Sequence, residues 1–462
     1  MSSTIFAPAT APGRSGVAVI RVSGPDAGRA ALAMTGRPLP QARVASLRQF
    51  RDPANGDVLD HGMLVWFPGP RSFTGEDVAE FHIHGGRAVL GGMLDVLGQQ
   101  MGLGFAEAGG FARQAFRNGK LDLTEVEALA DIVNADTAAQ RRQAQRQLSG
   151  ELGRLYRAWR ERLIHTLAYL EAQLDFPEDD LPPDLIRTVR SDIGKLRGEL
   201  EKHLAGANRG ERLRDGLRIA VIGLPNAGKS SLVNMLSRRD VAIVAPEPGT
   251  TRDAIEVGLD LGGFPVTIID TAGLRSPGGA VEAEGIRRAL ANAEDADLRL
   301  AVVDGVDVGN DGPGMDGPGM DGLAPELIRI LREGDILAVN KVDRLADGGI
   351  SRVAGLKRDF GGKILPVSAL KAQGLDGLCD ALAQRAAELA SSGNGPMAPT
   401  RERHRVALVA CGGALARAEV ATAIELMAED LRLASRELGR IVGIVDVEDI
   451  LDVVFRELCI GK

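Results

Sequence analysis

Gly223-Leu-Pro-Asn-Ala-Gly-Lys-Ser230 decides how this chain is read. The apolar run Leu217-Arg-Ile-Ala-Val-Ile222 precedes it, and Ser231-Leu-Val-Asn-Met-Leu236 follows with apolar residues at helical spacing. Strand, glycine loop and helix in that order make a phosphate-binding loop. Gly223 and Gly228 let backbone N–H groups converge on phosphate oxygens, and the helix N-terminus adds a favourable dipole. Lys229 supplies a point charge for the β- and γ-phosphates, and the Ser230 hydroxyl suits Mg²⁺. A chance glycine turn would lack the strand and helix around it.

Three further segments extend the reading outward. Asp270-Thr-Ala-Gly273 closes the apolar strand Val266-Thr-Ile-Ile269. There Asp270 can hold Mg²⁺ through water, Thr271 and Ala272 follow, and the Gly273 N–H can sense the γ-phosphate. Asn340-Lys341-Val-Asp343 closes Ile336-Leu-Ala-Val339. Asp343 is placed to accept two hydrogen bonds from guanine N1–H and N2–H₂. Adenine offers neither, and the unpaired carboxylate would cost as much as roughly 10⁴-fold. Ser368-Ala369-Leu370, after Ile364-Leu-Pro-Val367, is the expected neighbour of the base O6. Four such elements at strand ends define a guanine-nucleotide domain.

The rest of the chain sets the frame. Its 462 residues suggest about three domains, and 44% hydrophobic content is ordinary for globular protein. Cys379, Cys411 and Cys459 are too few for a disulfide framework and fit a reducing cytosol. There is no leader-like pattern and no run of about eighteen apolar residues, so a cytoplasmic protein without membrane contact is expected. A net charge of −8 argues against a nonspecific nucleic-acid coat, and any RNA contact must be local.

Composition divides the sequence into four stretches. Residues 1–118 read as an α+β domain, with strands at Val17-Ala-Val-Ile-Arg-Val22, Gly62-Met-Leu-Val-Trp-Phe67 and Val78-Ala-Glu-Phe-His-Ile83 and a helix over 88–99. His82 and His84 share one strand face, a spacing used by metal sites, but without a third ligand ordinary packing is preferred. Residues 119–212 read as the first part of a helical domain, opened by a capping box at Thr124-Glu-Val-Glu127 and broken at Phe176-Pro177 and Leu181-Pro-Pro183. Arg141, Arg142, Arg146, Arg154, Arg157, Arg160 and Arg162 face only Glu151 and Glu161 there. That stripe is either a solvated face, the preferred reading, or a grip on an RNA backbone. Residues 213–390 hold the nucleotide domain. Asp311-Gly-Pro-Gly-Met-Asp-Gly-Pro-Gly-Met-Asp-Gly322 inside it reads as a surface loop. Residues 391–462 start with the linker Ser391-Ser-Gly-Asn-Gly-Pro396 and return to helical pattern over 406–415, 419–438 and 447–458. The nucleotide domain therefore reads as an insertion into a helical domain.

The ending Cys459-Ile-Gly-Lys462, the phosphate loop and Gly249-Thr-Thr-Arg-Asp253 together resemble the MnmE (TrmE) tRNA-modification GTPase family. Phe67-Pro-Gly-Pro70, Ser72-Phe-Thr-Gly-Glu-Asp77 and Lys120-Leu-Asp-Leu123 extend the similarity over essentially the whole chain. The resemblance implies an N-terminal α+β folate-binding and dimerisation domain, a central helical domain and an inserted Ras-like doubly wound P-loop GTPase domain. It implies a homodimer that works on tRNA with MnmG (GidA), a partner that carries the FAD. Together they would add an aminomethyl or carboxymethylaminomethyl group to carbon 5 of a wobble uridine, with 5-formyl- or methylene-tetrahydrofolate as one-carbon carrier. Arg21, Glu80, Lys120 and Lys462 would bind the folate. Asn226, Ala227, Gly228, Lys229, Ser230 and Ser231 would cradle GTP.

A switch loop of Ala245, Pro246, Glu247, Pro248, Gly249, Thr250 and Thr251 would order on it, Thr251 joining Ser230 on Mg²⁺. That ordered surface would pair two nucleotide domains. Leu274 stands where Ras-like proteins carry the water-orienting Gln. The resemblance instead places K⁺ beside the phosphates, held by Asn226 and by Ala245, Glu247 and Thr250, and gives water positioning to Glu282, with Glu284 as its neighbour. Read from chemistry alone, Asn226 can also simply shape the loop. Cys459 is either a thiolate nucleophile or acid–base group, or part of a tail that Ile460 anchors. A ribosome-assembly GTPase and a stand-alone folate-dependent aminomethyl transferase are the rival readings. The first commonly carries a KH-type Gly-x-x-Gly loop after the nucleotide domain, which this chain lacks, and the second has no need of GTP.

Overall fold

A computed structural model describes residues 3–99, 103–175, 185–239, 255–270, 293–306, 325–345, 362–390, 397–445 and 448–461. The expectations for residues 245–251, 271–273, Glu282, the 311–322 duplication, the 391–396 linker, the proline breaks near 177 and 182, and Lys462 lie outside the described residues. The chain divides into two compact units. One comprises Met1–Asn134, Ala144–Glu201 and Val406–Lys462, the other Ala135–Gln143 and Lys202–Arg405.

In the first unit, β1 (Thr4–Pro8), β2 (Ser15–Ser23), β3 (Ser46–Arg51), β4 (Val58–Phe67), β5 (Val78–Gly85) and β6 (Leu103–Phe105) form one sheet, ordered β3-β4-β5-β2-β1-β6. All its pairs are antiparallel except β1 with β6. Alternation decides which side chains are covered. Ile20 and Val22 of β2 and Phe81 and Ile83 of β5 are buried under the helices Ala27–Thr35 and Arg87–Gln99. Arg21, Glu80 and His82 therefore point to the opposite face. Each fully buried Phe or Met in this core contributes roughly 1.5–3 kcal/mol.

Helices follow. Glu151–Asp175 packs along Ile424–Val442. The helices Gly110–Arg117, Leu123–Val133 and Glu448–Arg456 bury Ala112, Val126, Val454, Phe455 and Leu458 together. Two helix starts differ from expectation. The capping box belongs to Asp122 and Glu125: Asp122 accepts from the Glu125 N–H at 3.0 Å, and Glu125 Oε2 accepts from the Asp122 N–H at 2.7 Å. Thr124 lies inside the helix, fully buried, and donates to Asp122 at 2.6 Å. Glu419 lies in the last turn of the helix Glu402–Val420 instead of starting the next one, which opens after Ala423.

In the second unit, β7 (Leu217–Ile222), β8 (Ile255–Leu261), β9 (Phe264–Asp270), β10 (Leu298–Asp304), β11 (Ile336–Asn340) and β12 (Lys363–Pro366) form a sheet ordered β12-β11-β10-β7-β9-β8. Only β8 against β9 is antiparallel. Its parallel strands are apolar on both faces because both are covered. Leu217, Ile219 and Val221 meet the helices Lys229–Ser237 and Leu375–Ala390, while Ala220 and Ile222 meet Ala293, Ala296 and Val342. This is the doubly wound arrangement, and it sets the C-terminal ends of β7, β9, β10 and β11 side by side. The Ala135–Gln143 segment joins this unit through Gln140 and Gln143, which donate to the Arg214 and Gly210 carbonyls at 2.9 and 3.0 Å. Among the described residues no helix is long and apolar enough to cross a membrane.

Candidate nucleotide site and the C-terminal tail

The loop from Gly223 to Gly228 turns where β7 meets the Lys229–Ser237 helix. Asn226 sits at φ +64° and Gly228 at φ +93°, the left-handed geometry that aims successive N–H groups inward. A Cβ at Gly228 would fall 2.2 Å from Asn340 Nδ2, so glycine is required for the loop to touch β11. Lys229 is buried, and its ammonium donates to the Gly223 and Leu224 carbonyls, both at 2.9 Å. Asn226, Ser230 and Ser231 are exposed at the loop mouth, while Ala227 is buried beneath it.

Asn340 ties three loops together. Its side chain donates to the Ala227 carbonyl at 2.9 Å and accepts from the Ala369 N–H at 3.1 Å. The phosphate loop and both base-side loops thus share one buried amide. Ser368 is wholly buried, donates to Asp343 Oδ1 at 2.5 Å and accepts from the Lys371 N–H at 3.1 Å. Asp343 is exposed with its carboxylate held in place, and Leu370 is the exposed end of that loop. Lys341 takes the left-handed conformation, φ +61°, and pairs with Asp304 at 2.6 Å. Asp304 closes β10 directly beside Asn340, its partner in strand register. It is absent from the sequence reading, although a polar residue ending an apolar strand, as at Asp270 and Asn340, is its signal. Asp270 itself ends β9.

In the first unit, Arg21 on β2 donates to Glu80 on β5 at 3.0 Å, and its guanidinium lies 5.6 and 5.5 Å from the rings of Phe73 and Phe111. Arg21 also donates to the Gly461 carbonyl at 3.2 Å, which brings the C-terminal tail to this pair. His82 Nε2 lies 3.7 Å from Glu80, buried and without a hydrogen-bond partner among the described residues. Lys120 donates to the Pro70 carbonyl at 3.2 Å, on the loop that carries Phe73. Cys459 is exposed, Cys379 half-buried and Cys411 buried; burial, with Glu437 nearby, pushes the Cys411 thiol up to about 12. Ile460 does not anchor the tail: it is exposed, and Leu458 is the buried neighbour.

The remaining candidates find ordinary partners. His84 Nδ1 lies 2.8 Å from Asp60. Burial works against the Asp60 charge, but the His84 N–H, the His84 ring and the His61 N–H outweigh it and hold the carboxyl below the ordinary range. No group of three metal-ligating side chains occurs among the described residues. In the arginine stripe, Arg146 pairs with Glu151 at 2.5 Å, Arg157 with Asp122 at 2.5 Å and Arg162 with Glu199 at 2.7 Å.

Comparison with known proteins covers both units. The MnmE helical domain family matches residues 123–459, and the GTP-binding protein TrmE N-terminus family matches residues 4–120. The tRNA modification GTPase MnmE of Parvibaculum lavamentivorans is 52% identical over 99% of this chain and all of its own. That of Rhodospirillum rubrum is 52% identical over 99% of each chain. The mitochondrial 5-taurinomethyluridine-(tRNA) synthase subunit GTPB3 of Homo sapiens is 47% identical over the whole of this chain and 93% of its own. The chain belongs to the MnmE (TrmE) family of tRNA modification GTPases.

Proposed function

We propose that this protein hydrolyses GTP, with K⁺ as activator, to drive modification of carbon 5 of a wobble uridine in tRNA. It would act in the cytoplasm as a homodimer with an MnmG (GidA) flavoprotein partner, using a folate-borne one-carbon unit. The observation that carries the reading is the Asn340 cross-brace, which makes one unit of a phosphate loop and an Asp343 set to read guanine.

The chain's own groups divide the work. The left-handed turn at Gly228 and the helix behind it present N–H donors to phosphate, and Lys229 supplies charge from inside the loop. Asn340 keeps the base and phosphate ends at a fixed separation, so binding at one end is not lost to motion at the other. Mg²⁺, when bound, offsets phosphate charge; the exposed Ser230 hydroxyl at the helix start fits it, with Thr251 as the second ligand. Exposed Asn226 fits K⁺, whose charge would offset what develops on the phosphates, with Ala245, Glu247 and Thr250 supplying the other oxygens. Glu282 would orient the attacking water.

In the first unit, the unpartnered buried His82 nitrogen beside Glu80 fits a polar heterocycle such as a pterin. Glu80 would accept from its N–H donors, while Arg21, Lys120 and Lys462 would suit its anionic tail. A tetrahydrofolate supplies the one-carbon unit when bound.

One experiment tests the whole reading. The flavoprotein is recovered on the tagged chain, and wobble uridine from a strain lacking the gene is measured by mass spectrometry with and without the restored protein. Restored modification that is lost with Glu282→Ala, together with faster GTP turnover in K⁺ than in Na⁺, is expected. Equal turnover in the two salts removes the K⁺ assignment. Unmodified uridine despite a restored, folded protein removes the tRNA reading.

A further inference from the structure

The C-terminal tail touches the first unit twice. After the helix Glu448–Arg456, Leu458 is buried among Ala112, Val126, Leu129, Ala130, Val454 and Phe455. Cys459 and Ile460 then stand out of the surface, and Gly461 is buried again. What fixes the second contact is backbone, not side chain. Gly461 has φ +99°, a conformation that L residues rarely adopt. A Cβ built on it would lie 2.2 Å from the Pro8 carbonyl oxygen and 2.9 Å from Ala9 Cα. Those atoms have little room to give way, because Pro8 pairs with Ile20 and the Ala9 N–H donates to the Val19 carbonyl at 2.7 Å. On its other side the Gly461 carbonyl accepts from Arg21, itself fixed by Glu80 and two aromatic rings.

We infer that Gly461 is a positioning residue, a latch closed by Arg21 that pins the tail to the end of β1 beside the Arg21–Glu80 pair. Among the encoded residues, only glycine both adopts this backbone readily and clears Pro8. Ile460, the larger apolar neighbour, is 54% exposed. Because the carbonyl of Gly461 occupies one donor of Arg21, docking of the tail and the orientation of that guanidinium are one event. The consequence for reaction rests on the folate reading above, whereas the latch itself does not.

Cys459 makes the test accessible, because a tetrapeptide beginning with cysteine can be ligated to a thioester of residues 1–458 to rebuild the full chain. Three proteins are compared: the native sequence, Gly461→Ala and Gly461→D-Ala. D-alanine favours positive φ and carries its methyl in place of the other α-hydrogen, not at the position that meets Pro8. The readouts are release of Lys462 by carboxypeptidase, affinity for 5-formyltetrahydrofolate, and the separate KM and kcat of tRNA modification, with GTP turnover as the control for folding.

Gly461→Ala is expected to speed Lys462 release and weaken folate affinity by about tenfold or more, the order set by placing an L residue in this conformation. The folate KM should rise more than kcat falls, and Gly461→D-Ala should restore the native values. Unchanged tail release in Gly461→Ala, or a D-alanine protein no better than the L-alanine one, overturns the latch. Native protein that binds folate while Gly461→Ala binds it equally well overturns its role in the site. Native protein that binds no folate, with a tail still loosened by Gly461→Ala, supports the latch and refutes the folate reading instead.

Discussion

Base choice would rest on the Asp343 carboxylate, and the structure shows how that side chain is held. Buried Ser368 donates to one oxygen at 2.5 Å and leaves the exposed edge for a ligand. Asp343→Asn removes the acceptor pair for guanine and supplies a donor that xanthine can use. GTP affinity is expected to fall by roughly 10² or more, with preference moving to xanthine nucleotides, as measured by titration with fluorescent analogues. Retained guanine preference would take base reading away from Asp343. Asp304 acts one step further back, through Lys341. The pair is short, 2.6 Å, and the Asp304 side chain is only 13% exposed. Asp304→Asn is expected to speed GDP release about tenfold without altering base preference, because a half-buried ammonium loses its partner. An altered GTP-to-XTP ratio in stopped-flow release would show that Asp304 contacts the base itself.

At the scale of an element, the Leu123–Val133 helix is started by Asp122. That one carboxylate accepts from the Glu125 N–H and the Thr124 hydroxyl, and pairs with Arg157 on a second helix. Burial raises the Glu125 carboxyl above the ordinary range even though it accepts from the Asp122 N–H. Asp122→Ala should cost about 1–2 kcal/mol from the cap alone and lower the melting temperature by several degrees. Asp122→Asn keeps a capping acceptor and should recover most of that loss in a thermal melt. If both substitutions cost the same, the ion pair and not the cap is what matters. The sequence pattern Thr124-Glu-Val-Glu127 pointed to the wrong start because two overlapping sets of residues, three apart, both satisfy the rule. Only the sheltered position of Thr124, wholly buried, separates them.

At the scale of the whole molecule, the second unit carries a built-in acid sensitivity. His203 and His404 are both buried, and desolvation, with His404 as the lesser cause, pushes His203 down to about 4. The folded state therefore holds His203 neutral where the unfolded chain would protonate it. Stability is complete above the unfolded value near 6.5 and is lost as pH falls from there toward 4. The full difference is of order 3 kcal/mol. His203→Gln should flatten the fall in melting temperature between pH 7 and pH 5, read by calorimetry at matched ionic strength. Parallel slopes for the two proteins would place the acid sensitivity elsewhere.

The sequence by itself determined the nucleotide domain, because its chemistry lies in short, contiguous loops whose spacing from apolar strands is local. Gly228, Lys229, Asn340 and Asp343 were readable one segment at a time. The alternating runs at β2, β4 and β5 were readable for the same reason: burial of one sheet face imposes a period of two on neighbours in the chain. Tertiary structure alone decided what depends on distant pairs. Asn340 braces Ala227 across more than a hundred residues, Asp304 meets Lys341, and Arg21 holds Gly461 at the opposite end of the chain. No periodicity records such contacts. The tail shows the difference most plainly, since hydrophobicity favoured Ile460 as its anchor, while Gly461 is the residue whose missing side chain lets the backbone close on Pro8.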